Sequence, residues 1–207
     1  MNETESKKAR LISDLNKTKE FFLNNLEQLG SPVRIYTHLD ADGLSSGAIL
    51  GKALYREGIP FEIRVLRQLE REEIEKIIET VKIVSKLLIF CDFGSGQFRE
   101  LQQQFRKNDC NCPFIVFDHH LPQDISSKTE EIDILEIYEK TRPWQVNPYF
   151  YGIDGSTEIS GAGMCYFFAK VLNENNVDLA PIALIGASGD VQNQGQNIPL
   201  LVSIPKY

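Results

Sequence analysis

The sequence predicts an α/β domain built on a doubly wound, mainly parallel sheet with helices on both faces, preceded by an N-terminal helix. Three observations carry that prediction. Short apolar runs alternate with amphipathic stretches along most of the 207 residues, the pattern of repeated strand and helix units. Two of the runs, Leu87–Cys91 and Phe114–Phe117, are apolar at every position, as strands buried on both faces are. The runs also end at clusters of acids and histidines, on the edge where an open parallel sheet binds its ligands.

Residues 5–29 carry Leu11, Leu15, Phe22, Leu26 and Leu29 at mostly helical spacing, with Phe21 and Leu23 widening the stripe, and stop at Gly30 before Pro32. This reads as an amphipathic helix, closed by a glycine cap and a proline, that docks on the domain after it. Residues 33–37 hold the strand formers Val33, Ile35 and Tyr36. Gly43, followed by Ser45, Ser46, Gly47, Ala48, Ile49 and Leu50, opens a small-residue helix to about residue 57. Phe61–Leu66 is a second short strand, and Ile74, Ile77, Ile78 and Val81 predict a helix over 70–84. The apolar run 87–91 is followed by a helix over 98–107 and then by the run 114–117.

From Leu121 to about Pro148 the pattern blurs. Ile132–Tyr138 is strand-like, Lys140–Trp144 is basic and aromatic, and Gln145-Val146-Asn147-Pro148 reads as a short extended piece. A connection this long is a functional flap or holds a further element. Ser160-Gly161-Ala162-Gly163 opens a helix to about Leu172, and Leu179–Ala187 reads as another that runs into Gly189-Asp190. The expected division is a helix at 1–30, one domain at 31–192 and a tail at 193–207.

With 42% hydrophobic and 25% charged residues the composition is that of an ordinary globular domain. No apolar run approaches the roughly 20 residues that span a bilayer, and the charged N-terminus lacks a signal segment. A cytoplasmic protein with no membrane partner is expected. The net charge of −7 gives no bulk attraction for nucleic acid, so such a partner needs a local basic surface or the charge of bound metal. Cys91, Cys110, Cys112 and Cys165 lack the paired spacing of a zinc site and read as buried thiols.

His38, Asp40 and Asp42 fall within five positions just after the first strand. Two carboxylates about 4 Å apart repel by roughly 4 kcal/mol at an effective dielectric near 20, unless a cation lies between them. Asp92 follows the third run, Asp118, His119 and His120 follow the fourth, and Asp190 follows an apolar helix and a glycine. All three histidines of the chain belong to this set. Carboxylates with imidazoles suit a pair of divalent ions such as Mn²⁺ or Mg²⁺, where zinc would more often draw thiolate. Two ions bridged by a carboxylate activate water and steady both oxygens of a phosphoryl transfer, so hydrolysis of a phosphate ester is the first expectation. Asp92-Phe93-Gly94 spells a kinase motif without its companions, and Gly186-Ala187-Ser188-Gly189-Asp190 misses the nucleophile-elbow spacing.

At this point the residues resemble the DHH phosphoesterase superfamily. His38-Leu39-Asp40-Ala41-Asp42-Gly43 is similar to its first motif, Asp92 to the second, Asp118-His119-His120 to the third and Gly189-Asp190 to the fourth. Thr37–Ala48, Asp92–Gly96, Ser160–Gly163 and Gly189–Gln192 resemble the archaeal RecJ-like nucleases of the GINS-associated type, over about residues 33–192. The resemblance implies that His38, Asp40 and Asp92 hold one Mn²⁺ and that Asp42, Asp92, His119 and Asp190 hold the other, with Asp92 bridging. It implies that Asp118 orients His119 and that His120 faces the scissile phosphate as charge stabiliser or proton donor.

Two readings fit Ser160, Gly161 and Gly163: backbone N–H groups offered at a helix start to a phosphate, or small residues that let helices pack closely. Arg67 with Gln68, and Arg142 with Trp144, are candidates for backbone contact and base stacking. Such nucleases continue into a second, DHH-associated domain, which the sequence to Tyr207 does not show. The expected activity is metal-dependent hydrolysis of single-stranded DNA or RNA. The alternatives are hydrolysis of short oligonucleotides or cyclic dinucleotides, and a non-catalytic replication-complex subunit that binds GINS.

Overall fold

The computed structural model describes residues 3–29, 32–83, 86–123 and 144–192. The expectations placed on 124–143, among them Arg142 and the strand-like 132–138, and on the Gly30 cap and the 193–207 tail, lie outside the described residues. In chain order the elements are α1 (Glu3–Leu29), β1 (Val33–His38), α2 (Ala41–Arg56), β2 (Phe61–Leu66), α3 (Arg71–Val81), β3 (Leu88–Cys91), α4 (Phe98–Lys107), β4 (Phe114–Phe117) and β5 (Gln145–Val146). A 3-10 turn (Pro148–Tyr151), α5 (Gly161–Leu172), a second 3-10 turn (Glu174–Leu179) and α6 (Ala180–Gly189) complete the described chain.

The five strands form one sheet in the order β2-β1-β3-β4-β5, and every pairing is parallel. Chain order reverses between β1 and β3, which makes the carboxyl ends of those two strands the switch point where ligands bind in such sheets. The period-2 alternation of strands sorts the apolar runs onto two cores. Val33, Ile35, Ile89, Cys91, Ile115 and Phe117 face a core closed by α1, α2, α5 and α6. Tyr36, Leu88, Phe90, Phe114 and Val116 face another, closed by Ile74, Ile77, Ile78 and Val81 of α3 and Phe98, Leu101 and Phe105 of α4. Both faces are covered, which is why the runs read as unbroken apolar stretches.

The helix expected over 179–187 begins one residue later. Glu174–Leu179 winds as a 3-10 turn, and α6 starts at Ala180 with Pro181 in its first turn, where a missing N–H costs nothing. α1 is tied down by more than its stripe. Tyr151 Oη donates to the buried Asp14 carboxylate at 3.1 Å, and Lys19 Nζ donates to the Val171 and Leu172 carbonyls at the end of α5, a favoured place for a cation. Among the described residues, no helix is long and apolar enough to cross a membrane. All four cysteines are buried thiols outside any disulfide.

Candidate metal centre

β1 delivers His38, and Asp40 follows as the N-cap of α2. One Asp40 oxygen accepts from the Gly43 amide at 2.9 Å, while the other lies 2.8 Å from His38 Nδ1. The ordinary capping role and the outward-facing oxygen are therefore compatible. Asp42, in the first turn of α2, is fully buried. Its two oxygens accept from Gly161 N–H at 2.6 Å and Ala162 N–H at 3.0 Å, so the start of α5 fixes its direction.

Asp92 leaves β3 at φ 65°, a left-handed conformation that Asp and Asn adopt more readily than other side chains. Its Oδ2 lies 3.6 Å from His38 Nδ1 and its Oδ1 lies 3.2 Å from His119 Nε2. Asp190, at the end of α6, brings Oδ2 to 3.0 Å from the same His119 nitrogen. His119 itself hangs from the end of β4, with Nδ1 2.7 Å from the Gly155 carbonyl. That contact takes the Nδ1 proton and leaves Nε2 aimed at the acids.

Three overlapping groups result, in each of which one ligand atom per residue lies within 4.8 Å of the others: His38, Asp40 and Asp92; Asp42, Asp92, His119 and Asp190; Asp92, His119 and His120. Asp92 is common to all three. Among the described residues, the buried side-chain atoms with no hydrogen bond include His38 Nδ1, both Asp92 oxygens, His119 Nε2 and Asp190 Oδ2. These atoms are close together but not aligned as donor and acceptor pairs. Unpartnered buried polar atoms are costly, and convergence on a shared centre is the arrangement a cation requires.

The charges agree with the geometry. Burial, with the charge of Asp42, pushes the Asp92 carboxyl up to about 10 against the opposing pull of His119. Burial and Asp190 also raise Asp42, again against His119. On His119 burial acts downward, but the carboxylates of Asp190, Asp92, Asp118 and Asp42 outweigh it and push the imidazole up to about 12. The acids outnumber the positive charge available to them and draw a proton onto His119. A divalent ion relieves the same deficit, so the donor set fits the metal that the sequence implies.

Asp118 holds the backbone of His119 but not its ring. One of its oxygens accepts from the His119 and His120 amides, at 2.8 and 3.1 Å, and from His120 Nδ1 at 2.8 Å; the other accepts from the Ser95 amide at 2.8 Å. The His119 ring is held by Gly155 instead, because the turn after β4 sends the two imidazoles to different partners. Burial acts upward on Asp118, but His120, His119 and the Ser95 amide hold its carboxyl below the usual range. Asp118→Ala leaves three amides without an acceptor at about 1–3 kcal/mol each. A fall in melting temperature of at least about 6 °C is expected by calorimetry, and a fall below about 2 °C would contradict this role.

The phosphate site expected at Ser160, Gly161 and Gly163 is corrected by these contacts. The Gly161 and Ala162 amides serve Asp42, and Gly163 N–H donates to the Ser160 hydroxyl at 3.3 Å. The close-packing alternative accounts for Gly161: a β-carbon there would lie 2.8 Å from Asp92 Oδ1 and 3.0 Å from Asp42 Oδ2. Arg67 and Gln68 do reach the site, in a cleft of about 420 Å³ with His38, Asp92, Phe93 and His120. Trp144 does not. It precedes β5 and packs its ring on Phe21 and Phe114, beside Cys110 and Cys112.

Sequence reasoning also passed over the Gly155 carbonyl, which Gln192 Nε2 contacts at 2.9 Å. It missed the brace in which Gln145 and Asn147 donate to Ser95 Oγ and Asn147 donates to the His120 carbonyl. The only signal was two amide side chains in an otherwise extended piece.

Residues 32–187 match the DHH family, N-terminal domain. The match covers most of the chain, and the chain belongs to the DHH family. It is 38% identical over 160 residues to an uncharacterized protein of Methanocaldococcus jannaschii, covering 77% of this chain and 33% of that one. The fold superposes on that of RecJ in complex with Mn²⁺ from Thermus thermophilus, with a TM-score of 0.61, 24% identity, and coverage of 86% of this chain and 24% of that one. It also superposes on CDC45 from Entamoeba histolytica, with a TM-score of 0.54, 17% identity and coverage of 86% and 34%. The chain thus spans about a third of the length of the curated relative it matches.

Proposed function

We propose that this chain is a metal-dependent phosphodiesterase that hydrolyses single-stranded DNA or RNA, using two divalent ions, Mn²⁺ or Mg²⁺. The observation that carries the reading is the set of unpartnered buried donor atoms gathered around Asp92. His38, Asp40 and Asp92 would hold one ion and Asp42, Asp92, His119 and Asp190 the other. Ions bound there supply Lewis acidity toward water and the phosphoryl oxygens, and the positive charge that lets an acidic protein receive a phosphate. The manganese-bound RecJ structure of the same fold supports that choice of metal.

The chain's own residues then divide the remaining work. His120, with Nδ1 on the buried Asp118 carboxylate and its side chain lining the cleft, serves as a charge stabiliser for the phosphate or a proton donor to the leaving oxygen. Arg67, which lines the same cleft, binds the backbone phosphate next to the scissile one. Arg67→Ala removes one charged hydrogen-bonding partner, worth about 1.5–3 kcal/mol. It is expected to raise KM by about 10–100-fold with kcat little changed, as steady-state kinetics will show.

The decisive assay offers single-stranded oligonucleotides, duplexes and dinucleotides to the purified chain with and without Mn²⁺. Cleavage of single strands that needs metal and Asp92 is expected. If the chain cleaves none of them, and Asp92→Ala behaves as the native chain does, the reading is wrong. A cleft of about 420 Å³ is in the range of small-ligand pockets, which favours a second reading, hydrolysis of short oligonucleotides or cyclic dinucleotides. Rates that rise as the substrate is shortened would select it. The fold shared with CDC45 supports a third, a replication-complex subunit; capture by GINS that survives Asp92→Ala would select that one.

A further inference from the structure

β2 is the outermost strand of the sheet and, among the described residues, pairs only with β1. Edge strands are sites of pairing with another chain unless something guards them. This one is six residues long and carries apolar side chains in the open: Ile63 is 40% and Val65 50% exposed.

We infer that β2 pairs with the β2 of a second copy of this chain, antiparallel and about a two-fold axis at Ile63, joining two five-stranded sheets into one. The backbone sets which residues can pair. The Pro60 carbonyl accepts from Val33 N–H, so the even-numbered residues 60 to 66 turn their backbone groups toward β1. Phe61, Ile63 and Val65 then turn theirs outward, since successive residues alternate. An antiparallel partner centred on Ile63 pairs Ile63 with Ile63 and Phe61 with Val65, and every outward N–H and C=O finds an acceptor or donor.

Charge selects that register. With the axis at Ile63, Glu62 of each copy lies directly opposite Arg64 of the other. With the axis one residue to either side, Glu62 would face Glu62 or Arg64 would face Arg64. Opposite charges across an antiparallel pair stabilise it and like charges do the reverse. Arg64 is exposed. Glu62 keeps one oxygen on Arg34, at 2.6 and 2.9 Å, while its other oxygen lies 3.7 Å from Lys86 Nζ and is open to a further cation. On the other face the axis brings together Phe61, Ile63 and Val65 of both copies. Because the strands run antiparallel, the two clefts open at opposite ends of the joined sheet and neither is covered.

The test is the mass of the full chain across micromolar concentrations, by light scattering and sedimentation equilibrium, with two variants. The native chain is expected to pass from monomer to dimer, and Arg64→Glu is expected to raise the dissociation constant at least tenfold while leaving circular dichroism unchanged. In the inferred register the two Ile63 Cα atoms lie about 5.5 Å apart, within the disulfide range. Ile63→Cys under oxidised glutathione is therefore expected to give a covalent dimer on a non-reducing gel. The four native cysteines, all buried, serve as the internal control. A monomer at every concentration would overturn the inference, whether the edge is covered by another part of the chain or by a different protein. So would a dimer that Arg64→Glu leaves intact and Ile63→Cys fails to lock.

Discussion

Asp92→Asn is expected to lose manganese-dependent hydrolysis and, without metal, to melt at a higher temperature than the native chain. The two effects have one cause. Asp92 belongs to each of the three ligand groups, so an amide in its place removes the shared ligand from both proposed ions. Even outer partners of metal ligands are worth about 10–100-fold in affinity or activity, and loss of the bridge should exceed about 100-fold. Burial and the charge of Asp42 push the same carboxyl up to about 10, so the metal-free fold must take up a proton that the unfolded chain lacks at neutral pH, and a neutral isostere removes that cost. Asn also accepts the left-handed backbone at φ 65°, so no strain is added. Mn²⁺ at about 100 times its dissociation constant stabilises the native chain by about 2.7 kcal/mol, or about 5–10 °C. The variant should show almost none of that shift. Calorimetry with and without Mn²⁺ reads both effects, and a variant that keeps the full shift would contradict the bridging role.

Gly161→Ala is expected to lower thermal stability and metal binding together. By helix propensity alone, alanine would help here by about 0.5–1 kcal/mol. The added carbon would instead sit 2.8 Å from Asp92 Oδ1, 2.9 Å from Asp92 Cβ and 3.0 Å from Asp42 Oδ2. Overpacking of this kind costs about 1–3 kcal/mol, and here the groups that must yield are the proposed ligands themselves. Lower thermal stability and loss of Mn²⁺ binding should therefore appear together. Ser160→Ala removes only a cap, at about 1 kcal/mol, and should leave metal binding intact. Native Mn²⁺ affinity in Gly161→Ala would show that the close approach of α5 to the acids is not what requires glycine.

The alternation of strands and helices and the sheet edge that carries the acids were legible because both follow from local patterns. Runs apolar at every position announce strands covered on both faces, and the acids after β1, β3 and β4 mark the ligand edge of any parallel sheet. What escaped depended on long-range contacts. The Gly155 carbonyl sets the His119 ring from 36 residues away, and a backbone carbonyl has no letter in the sequence. Asp118 sits just before two histidines, and only the turn geometry decides that its carboxylate serves His120. Ser160-Gly161-Ala162-Gly163 has the composition of an anion site, yet its amides were already committed to Asp42, 119 residues earlier in the chain. Trp144 read as a base-stacking candidate, but its ring lies against Phe21 and Phe114, which places it away from the cleft.

The central claim is that separate strand ends enclose a cation site about Asp92. Anomalous diffraction at the manganese edge, from crystals grown with Mn²⁺, tests it most directly. The account predicts two peaks flanking the Asp92 carboxylate, one beside His38 and Asp40 and the other among Asp42, His119 and Asp190. Crystals of the folded chain that show no peak within coordination distance of Asp92 at saturating Mn²⁺ would contradict it.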